Sequence, residues 1–275
     1  AMLFEMLRPG ATAVINADDP EGRHMAERAR CMKLWFGLRG EADVSAEIAA
    51  MDMTGTTYRL KTPRGTAEVR SSLVGEFNVM NDLAAAAAAL AADVELDAIV
   101  AGLEQAGPVP GRLERIPAPD FHPLVDYAHN EGALESVLGA VRALATRRLL
   151  IVFGAGGDRD DTKRPLMGVA AEKYCDRIFL TADNSRSEDT LQIIRDIERD
   201  MTGIRPTLVI PDREMAIRAA VDAAEPGDVL LVAGKGHETY QILGQITSPF
   251  DDREVLRRAI AEREASMQHV AQSEA

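Results

Sequence analysis

The sequence is poor in several things that would place it quickly. It has two cysteines, Cys31 and Cys175, far apart in the chain. They read as two buried thiols rather than a disulfide, which fits a reducing, cytoplasmic setting. No apolar run approaches the roughly 20 residues of a membrane-spanning helix. The longest, Leu83–Ala92, is alanine-rich and reads as a buried helix. The opening AMLFEMLRPG is too short, and turns basic too soon, for a secretory signal. Positive charge is scarce: 31 Lys and Arg against 44 Asp and Glu leave a net charge of −13. That deficit argues against nucleic acid or an anionic membrane as partner, since both need a basic footprint. It leaves room for a local basic pocket around a small anion. No His/Cys cluster has zinc-ligand spacing. There is no GxSxG nucleophile elbow and no GxxxxGK[ST] phosphate-binding loop. Internal repeats are absent as well.

What is present is a chain of 275 residues, 46% of them hydrophobic, enough for roughly two domains. From about Asp120 the pattern is regular. Strands are predicted at Pro123–Tyr127, Leu149–Gly154, Arg177–Ala182, Thr207–Pro211 and Val229–Ala233. Helices are predicted between them, at Glu131–Thr146, Pro165–Lys173, Ser187–Asp200 and Arg213–Ala224, with a last one near Asp252–Arg263. This alternation means βαβ units and a mostly parallel sheet, an α/β class fold. The first ~110 residues differ. Short strands are predicted at Ala11–Asn16, Cys31–Phe36, Val44–Ile48, Thr56–Leu60 and Ala67–Leu73, then helices at Val79–Ala92 and Leu96–Gln105. The stretch Gly107-Pro108-Val109-Pro110-Gly111 reads as the linker.

The most informative segment runs from Leu150 to Asp189. Two consecutive parallel strands deliver charged loops to one edge of a sheet, the edge where open α/β sheets bind ligands. The first loop, Gly154–Arg164, is glycine-rich and carries Asp158, Arg159, Lys163 and Arg164; its backbone can cradle an anion. The second carries Asp183, Asn184, Arg186 and Glu188, with a guanidinium fork suited to a carboxylate and carboxylates suited to an ammonium. Ser187 reads as a cap for the following helix. Val125–Asn130 ends a strand, placing Asp126 and His129 at the same edge, with Asn130 either there or as an N-cap. Gly234-Lys235-Gly236-His237-Glu238 follows the last strand, and Glu238 is read as opening a helix. Arg112 at the linker suits ribose or phosphate, or a linker salt bridge. Asn78 and Asn81 precede the alanine helix, where they suit a base edge or a helix cap.

In order, LFEML, AVINADD, GEFNVMN, GRLE, VDYAH, FGAGGDRDDTKRPLMG, TADNSRSED, AGKGHETYQ and FDDRE resemble the Mur ligase family. Within it they are most similar to the type that adds the third residue of the peptidoglycan stem peptide. The resemblance covers nearly the whole chain. It implies the end of the central ATPase domain over residues 1–110, without its phosphate-binding loop, and the Rossmann-like C-terminal domain over 111–264. Residues 265–275 are expected to be a frayed tail. It further implies that Asn78 and Asn81 lie near adenine, and that Arg112, Asp126 and His129 contact ATP. Lys163 and Arg164 would face the phosphates and the amino acid. Asn184 and Arg186 would hold the distal carboxylate of a diamino acid, favouring meso-diaminopimelate over lysine, with Asp183 beside them. Gly234 and Glu238 would grip its amino and carboxylate ends. One departure stands out: Ser185 occupies a place where this type usually has proline, which would stiffen the loop.

The implied reaction is ATP-dependent amide formation on a UDP-MurNAc-dipeptide in the cytoplasm, using ATP and Mg²⁺. The family's Mg²⁺ ligands and carbamylated lysine lie in segments this sequence does not match, so it is expected to lack the Mg²⁺ site and to be inactive alone. Alternatives are a split-ligase or non-catalytic binding module that completes a chain bearing the phosphate-binding loop, or a Mur-like ligase outside the cell wall, similar to the Mur-like half of cyanophycin synthetase. An open sheet edge and exposed apolar surface in the first part would favour self-association.

Overall fold

The computed structural model describes residues 2–273. The chain divides into two units, Ala1–Gly107 and Pro108–Ala275.

In the first unit a short helix α1 (Met2–Glu5) precedes β1 (Thr12–Asn16), α2 (Pro20–Arg28) and β2 (Met32–Gly37). Then come β3 (Val44–Asp52), β4 (Gly55–Thr62), β5 (Gly65–Ser71), α3 (Glu76–Ala91) and α4 (Leu96–Gln105). The five strands form one sheet in the order β1-β2-β3-β4-β5; the first two pairings are parallel and the last two antiparallel. The ADDP turn signal opens α2: Asp19 accepts the Glu21 N–H as N-cap, and Pro20 takes the first helical position. Asp18 accepts the backbone N–H groups of Leu38, Arg39 and Gly40, so the turn after β1 holds the turn after β2. The alanine helix α3 lays Val79, Leu83, Ala86 and Ala87 on Tyr58, Leu60 and Val69 of the sheet. Within that core Tyr58 donates to Asp82 at 2.9 Å. Strand β1 ends the sheet, and Met2, Leu3, Met6 and Met32 are exposed.

The second unit contains β6 (Glu114–Arg115), β7 (His122–Asp126), α5 (Glu131–Leu144), β8 (Leu149–Phe153), α6 (Arg164–Tyr174), β9 (Arg177–Leu180) and α7 (Thr190–Glu198). It continues with β10 (Thr207–Val209), α8 (Arg213–Ala223), β11 (Val229–Ala233), β12 (Tyr240–Leu243), β13 (Ile246–Pro249) and α9 (Asp252–Ser273). Six strands form a sheet in the order β10-β9-β8-β11-β7-β6, parallel except for β6. Every residue of β8 and β11 is buried. Their unbroken apolar runs are what a parallel strand covered on both faces requires. The chain steps outward from β8 to β10, then returns across β8 to insert β11 beside β7. The crevice between β8 and β11 is therefore a topological switch point.

Three expectations are corrected. Glu238 opens no helix: Tyr240–Pro249 folds into the β12–β13 hairpin, with Leu243 facing Ile246 across a two-residue Gly244-Gln245 loop. The N-cap of α7 is Asp189, which accepts the Gln192 N–H, whereas the Ser187 hydroxyl donates to Asp158. The last helix runs to Ser273, ten residues beyond Arg263 and through much of the expected frayed tail. The extension, EASMQHVAQS, contains several good helix formers, Glu264, Ala265, Met267 and Gln268 among them. The last two residues of that tail lie outside the described residues.

Candidate functional site

A cleft of about 540 Å³ lies at the carboxyl ends of the parallel strands of the second unit. The loops after β7, β8, β9 and β11 line it, together with Tyr240 of the hairpin. Of the residues singled out from the sequence it gathers His129, Lys163, Arg164, Asp183, Asn184, Arg186, Gly234 and Glu238.

The loops after β8 and β9 touch backbone to backbone, which is why the first is rich in glycine. A Cβ on Gly154 would lie 2.1 Å from the Thr181 carbonyl oxygen, and one on Gly157 would lie 1.9 Å from that of Ser185. Arg164 then bolts the two loops together. It is 2% exposed and forms a fork on Glu188, both bonds 2.8 Å, with a third bond of 2.8 Å to Asp196. The hydrogen bonds from Arg164 hold the Glu188 carboxyl below its ordinary range. Arg164 thus walls the cleft while its terminal nitrogens are engaged in the protein. Lys163 is half exposed, with only a 4.0 Å approach to Asp160, and Arg159 has no ion-pair partner among the described residues. These two cations remain available at the rim.

The opposite set of residues is acidic and buried. Asp183 and Asn184 are 6% and 4% exposed. Gly234 has φ +118°, and a Cβ there would lie 2.4 Å from Asp183 Oδ2, so glycine is required twice over. The Asn184 amide donates to Glu238 Oε2 (2.9 Å) and its oxygen accepts from Lys235 Nζ and Ile242 N (both 2.9 Å). Arg186 has φ +51° and donates to the Gly157 carbonyl at 2.7 Å. The hairpin fixes this turn, since the Arg186 N–H donates to the Ile242 carbonyl. Behind the cleft, Arg213 and Asp252 form a fully buried pair with two bonds of 2.7 Å. Arg213 also donates to the Ala182 and Ala233 carbonyls, tying the ends of β9 and β11 together.

A second cluster surrounds Tyr127. Its ring lies 4.6 Å from that of His129 and 4.9 Å from that of His237, with the Arg112 guanidinium 4.9 Å away over its face. Gly111 and Gly236 bring these segments together: a Cβ on Gly111 would lie 2.1 Å from the backbone of Gly236 and His237. Asp126 is turned inward. Its carboxylate accepts the Leu113 and Ala128 N–H groups at 2.8 Å each, and burial pushes it above its ordinary range despite them. Asn130 is the N-cap of α5, accepting from Ala133 N. Asn78 and Asn81 belong to the first unit, at the start of α3. There Asn78 donates to the Val74 carbonyl, and the N-cap is Gly75, whose φ is +101°. Among the described residues, no group of three or more His, Cys, Asp or Glu side chains is disposed to hold a metal ion.

Sequence reasoning gave no role to Tyr127, Arg213 or Asp252, and took Lys235 only as part of a Lys-His-Glu cluster that a plain strand–helix turn does not explain. Lys235 had a signal in its place between two glycines at a strand end. The Arg213–Asp252 pair had none, because its members are brought together only by the fold.

Comparison with known proteins gives two family matches: the Mur ligase middle domain over residues 1–89, and the Mur ligase glutamate ligase domain over 111–236. The UDP-N-acetylmuramoyl-L-alanyl-D-glutamate--2,6-diaminopimelate ligase of Geobacillus kaustophilus is 48% identical over 253 residues, covering 91% of this chain and 52% of that protein. The protein of the same name from Synechococcus elongatus is 44% identical over 259 residues, covering 92% of this chain and 52% of its own length. A solved structure of a ligase with that name matches at TM-score 0.68 and 36% identity, covering 92% of this chain and 54% of that one. The chain thus spans about half the length of the curated relatives it matches.

Proposed function

The chain belongs to the Mur ligase family, and from that premise we propose that its second unit holds the diamino acid joined by a 2,6-diaminopimelate-adding ligase. The observation that carries this reading is the pairing of charges in one cleft. Asp183 and Glu238 can receive ammonium groups, and Arg186, Lys163 and Arg159 can receive carboxylates. A diamino dicarboxylate answers both sets. Lysine has two ammonium groups but one carboxylate and would leave part of the cationic set unmatched. Relatives that align over nine-tenths of this chain are named for 2,6-diaminopimelate.

The reaction in this reading is amide formation driven by ATP in the cytoplasm. The γ-phosphoryl group passes to a carboxylate of the UDP-MurNAc-dipeptide. The amine of the diamino acid then attacks the acyl phosphate, forming the amide and releasing phosphate and a proton. The role of this cleft is to bind the amine-bearing partner in one orientation, which converts a bimolecular attack into a nearly intramolecular one. The Arg112–Tyr127–His129 cluster offers a ring face and a cation to the nucleotide. The sequence contains no GxxxxGK[ST] segment, and in this reading phosphate positioning and the bound Mg²⁺ that phosphoryl transfer requires are assigned to a segment that these residues do not supply. Tripeptide formation by the purified 275-residue chain alone would overturn that assignment.

The test is calorimetric titration of the chain with meso-diaminopimelate, with L-lysine as the competitor. Selective binding of the diaminopimelate is expected. Arg186→Ala should weaken it by about ten- to a hundredfold, the weight of one charge-assisted hydrogen bond. Equal binding of lysine, or an unaffected Arg186→Ala variant, would refute the reading.

A further inference from the structure

Lys235 is the most deeply buried lysine among the described residues, with 0% exposure, and it does not line the cleft. Its ammonium sits behind three residues that do. Lys235 Nζ donates to Asn184 Oδ1 at 2.9 Å, approaches Glu238 Oε2 at 3.4 Å and Asp183 Oδ1 at 3.6 Å, and lies 5.7 Å from the centre of the Tyr240 ring. The nearby Arg213 adds no net charge, because Asp252 neutralises it.

The orientation of the Asn184 amide is dictated by its neighbours. Both Lys235 Nζ and Ile242 N are donors without acceptor capacity, so the end of the amide facing them must be the oxygen. The Nδ2 group is thereby turned onto Glu238 Oε2. Oε2 is then occupied, by Asn184 and Lys235, while Oε1 accepts nothing from the described residues and Glu238 faces the cleft. One lysine against two carboxylates leaves a single formal negative charge for a ligand to answer.

The geometry points to Lys235 as a positioning residue that sets how strongly the site prefers an ammonium: through Asn184 it fixes which oxygen of Glu238 is presented to the ligand, and it limits to one the negative charge that Asp183 and Glu238 leave uncompensated. This rests on the reading that the cleft holds a diamino dicarboxylate. Replacing Lys235 by an apolar residue of similar length removes the lock on Asn184 and leaves two buried carboxylates without a counter-ion. Two unanswered carboxylates attract a ligand ammonium more strongly than one, so the site then over-prefers a ligand that carries the ammonium to one that lacks it.

The test compares meso-diaminopimelate with 2-aminopimelate, the same dicarboxylate lacking one amine, on the full chain and on Lys235→Met. The wild-type chain should prefer the diamino compound by about ten- to a hundredfold. In Lys235→Met the ratio of the two affinities should rise further, with thermal unfolding still cooperative; a ratio that falls would overturn the inference. A role in folding alone would weaken both ligands by the same factor and preserve the ratio, and that result would overturn the inference. Should Lys235→Met fail to fold, Asn184→Asp tests the same relay. It keeps the acceptor for Lys235 and Ile242 but cannot donate to Glu238 and adds a second unanswered negative charge, so the ratio should rise there too, and an unchanged or lower ratio would overturn the inference. A wild-type chain that binds the diamino compound but does not prefer it over 2-aminopimelate also refutes the role of Lys235. A wild-type chain that binds neither compound refutes the reading of the cleft and, with it, the inference.

Discussion

Removing the carboxylate of Asp252 should loosen the floor of the cleft far more than its distance from the ligand suggests. Arg213 and Asp252 are both completely shielded from water, and their two bonds of 2.7 Å are the shortest route by which the guanidinium charge is answered. In Asp252→Ala the arginine stays charged, since its proton is not lost at any usable pH. It remains held by the Ala182 and Ala233 carbonyls but without its hydrogen-bonded counter-charge, leaving only the more distant Asp183 and Glu238. Breaking a buried pair in this way costs about 3–5 kcal/mol, equivalent to about two to three and a half powers of ten in an opening equilibrium. The assay is amide hydrogen exchange resolved by peptide. Amides of β9 and β11 should exchange faster by about that factor, while those of α3 in the first unit serve as the internal reference. Asp252→Asn keeps an acceptor but not the charge, and should fall between the two. Wild-type exchange in β9 and β11 of Asp252→Ala would refute the argument that the pair holds these strand ends together.

Two further outcomes follow from the loops. The Glu188 carboxyl is held below its ordinary value of 4.5 by Arg164. A depressed folded-state value means that its contribution is fully present above 4.5 and is lost as pH falls through the lowered value. The difference in melting temperature between the wild type and Glu188→Gln should therefore be constant at neutral pH and vanish on acidification; a difference independent of pH would contradict the pairing. The Ser185 N–H makes no hydrogen bond within the described residues. Ser185→Pro should therefore retain ligand binding and raise stability by up to about 1 kcal/mol, through a less flexible unfolded chain. A lowered melting temperature would show that the loop needs a φ that proline cannot adopt.

How much of this was legible in the sequence depended on whether the signal was local. The parallel strands of the second unit were readable because apolar runs such as Leu149–Phe153 and Val229–Ala233 are bounded by glycine, proline and charge. The charged loops at their ends were readable for the same reason. The β12–β13 hairpin was missed although Gly244-Gln245, with φ +60° at the glycine, is a two-residue turn between alternating segments. The commitments of individual side chains were not legible. Arg164, Asn184 and Asp126 all stand at the expected edge, yet each spends polar atoms on the protein, on Glu188, Glu238 and Leu113 N respectively. Nothing in their spacing announces this, because the partners arrive from segments 13 to 54 residues away.

The position of β11 bears on how the second unit is made. It is the last strand of its sheet to be synthesised, yet it lies inside the sheet, with β8 on one side and β7 on the other. Until Val229–Ala233 has emerged, β7 and β8 have no shared neighbour, and the cleft has only one of its two principal walls. Assembly of this unit is consequently a non-local closure rather than an accretion from the amino end, a topology expected to fold slowly. A nascent chain stopped just short of β11 would hold two separate edges capable of pairing with another chain, while one extended by a few more residues could zip the sheet shut and create the binding cleft in the same event.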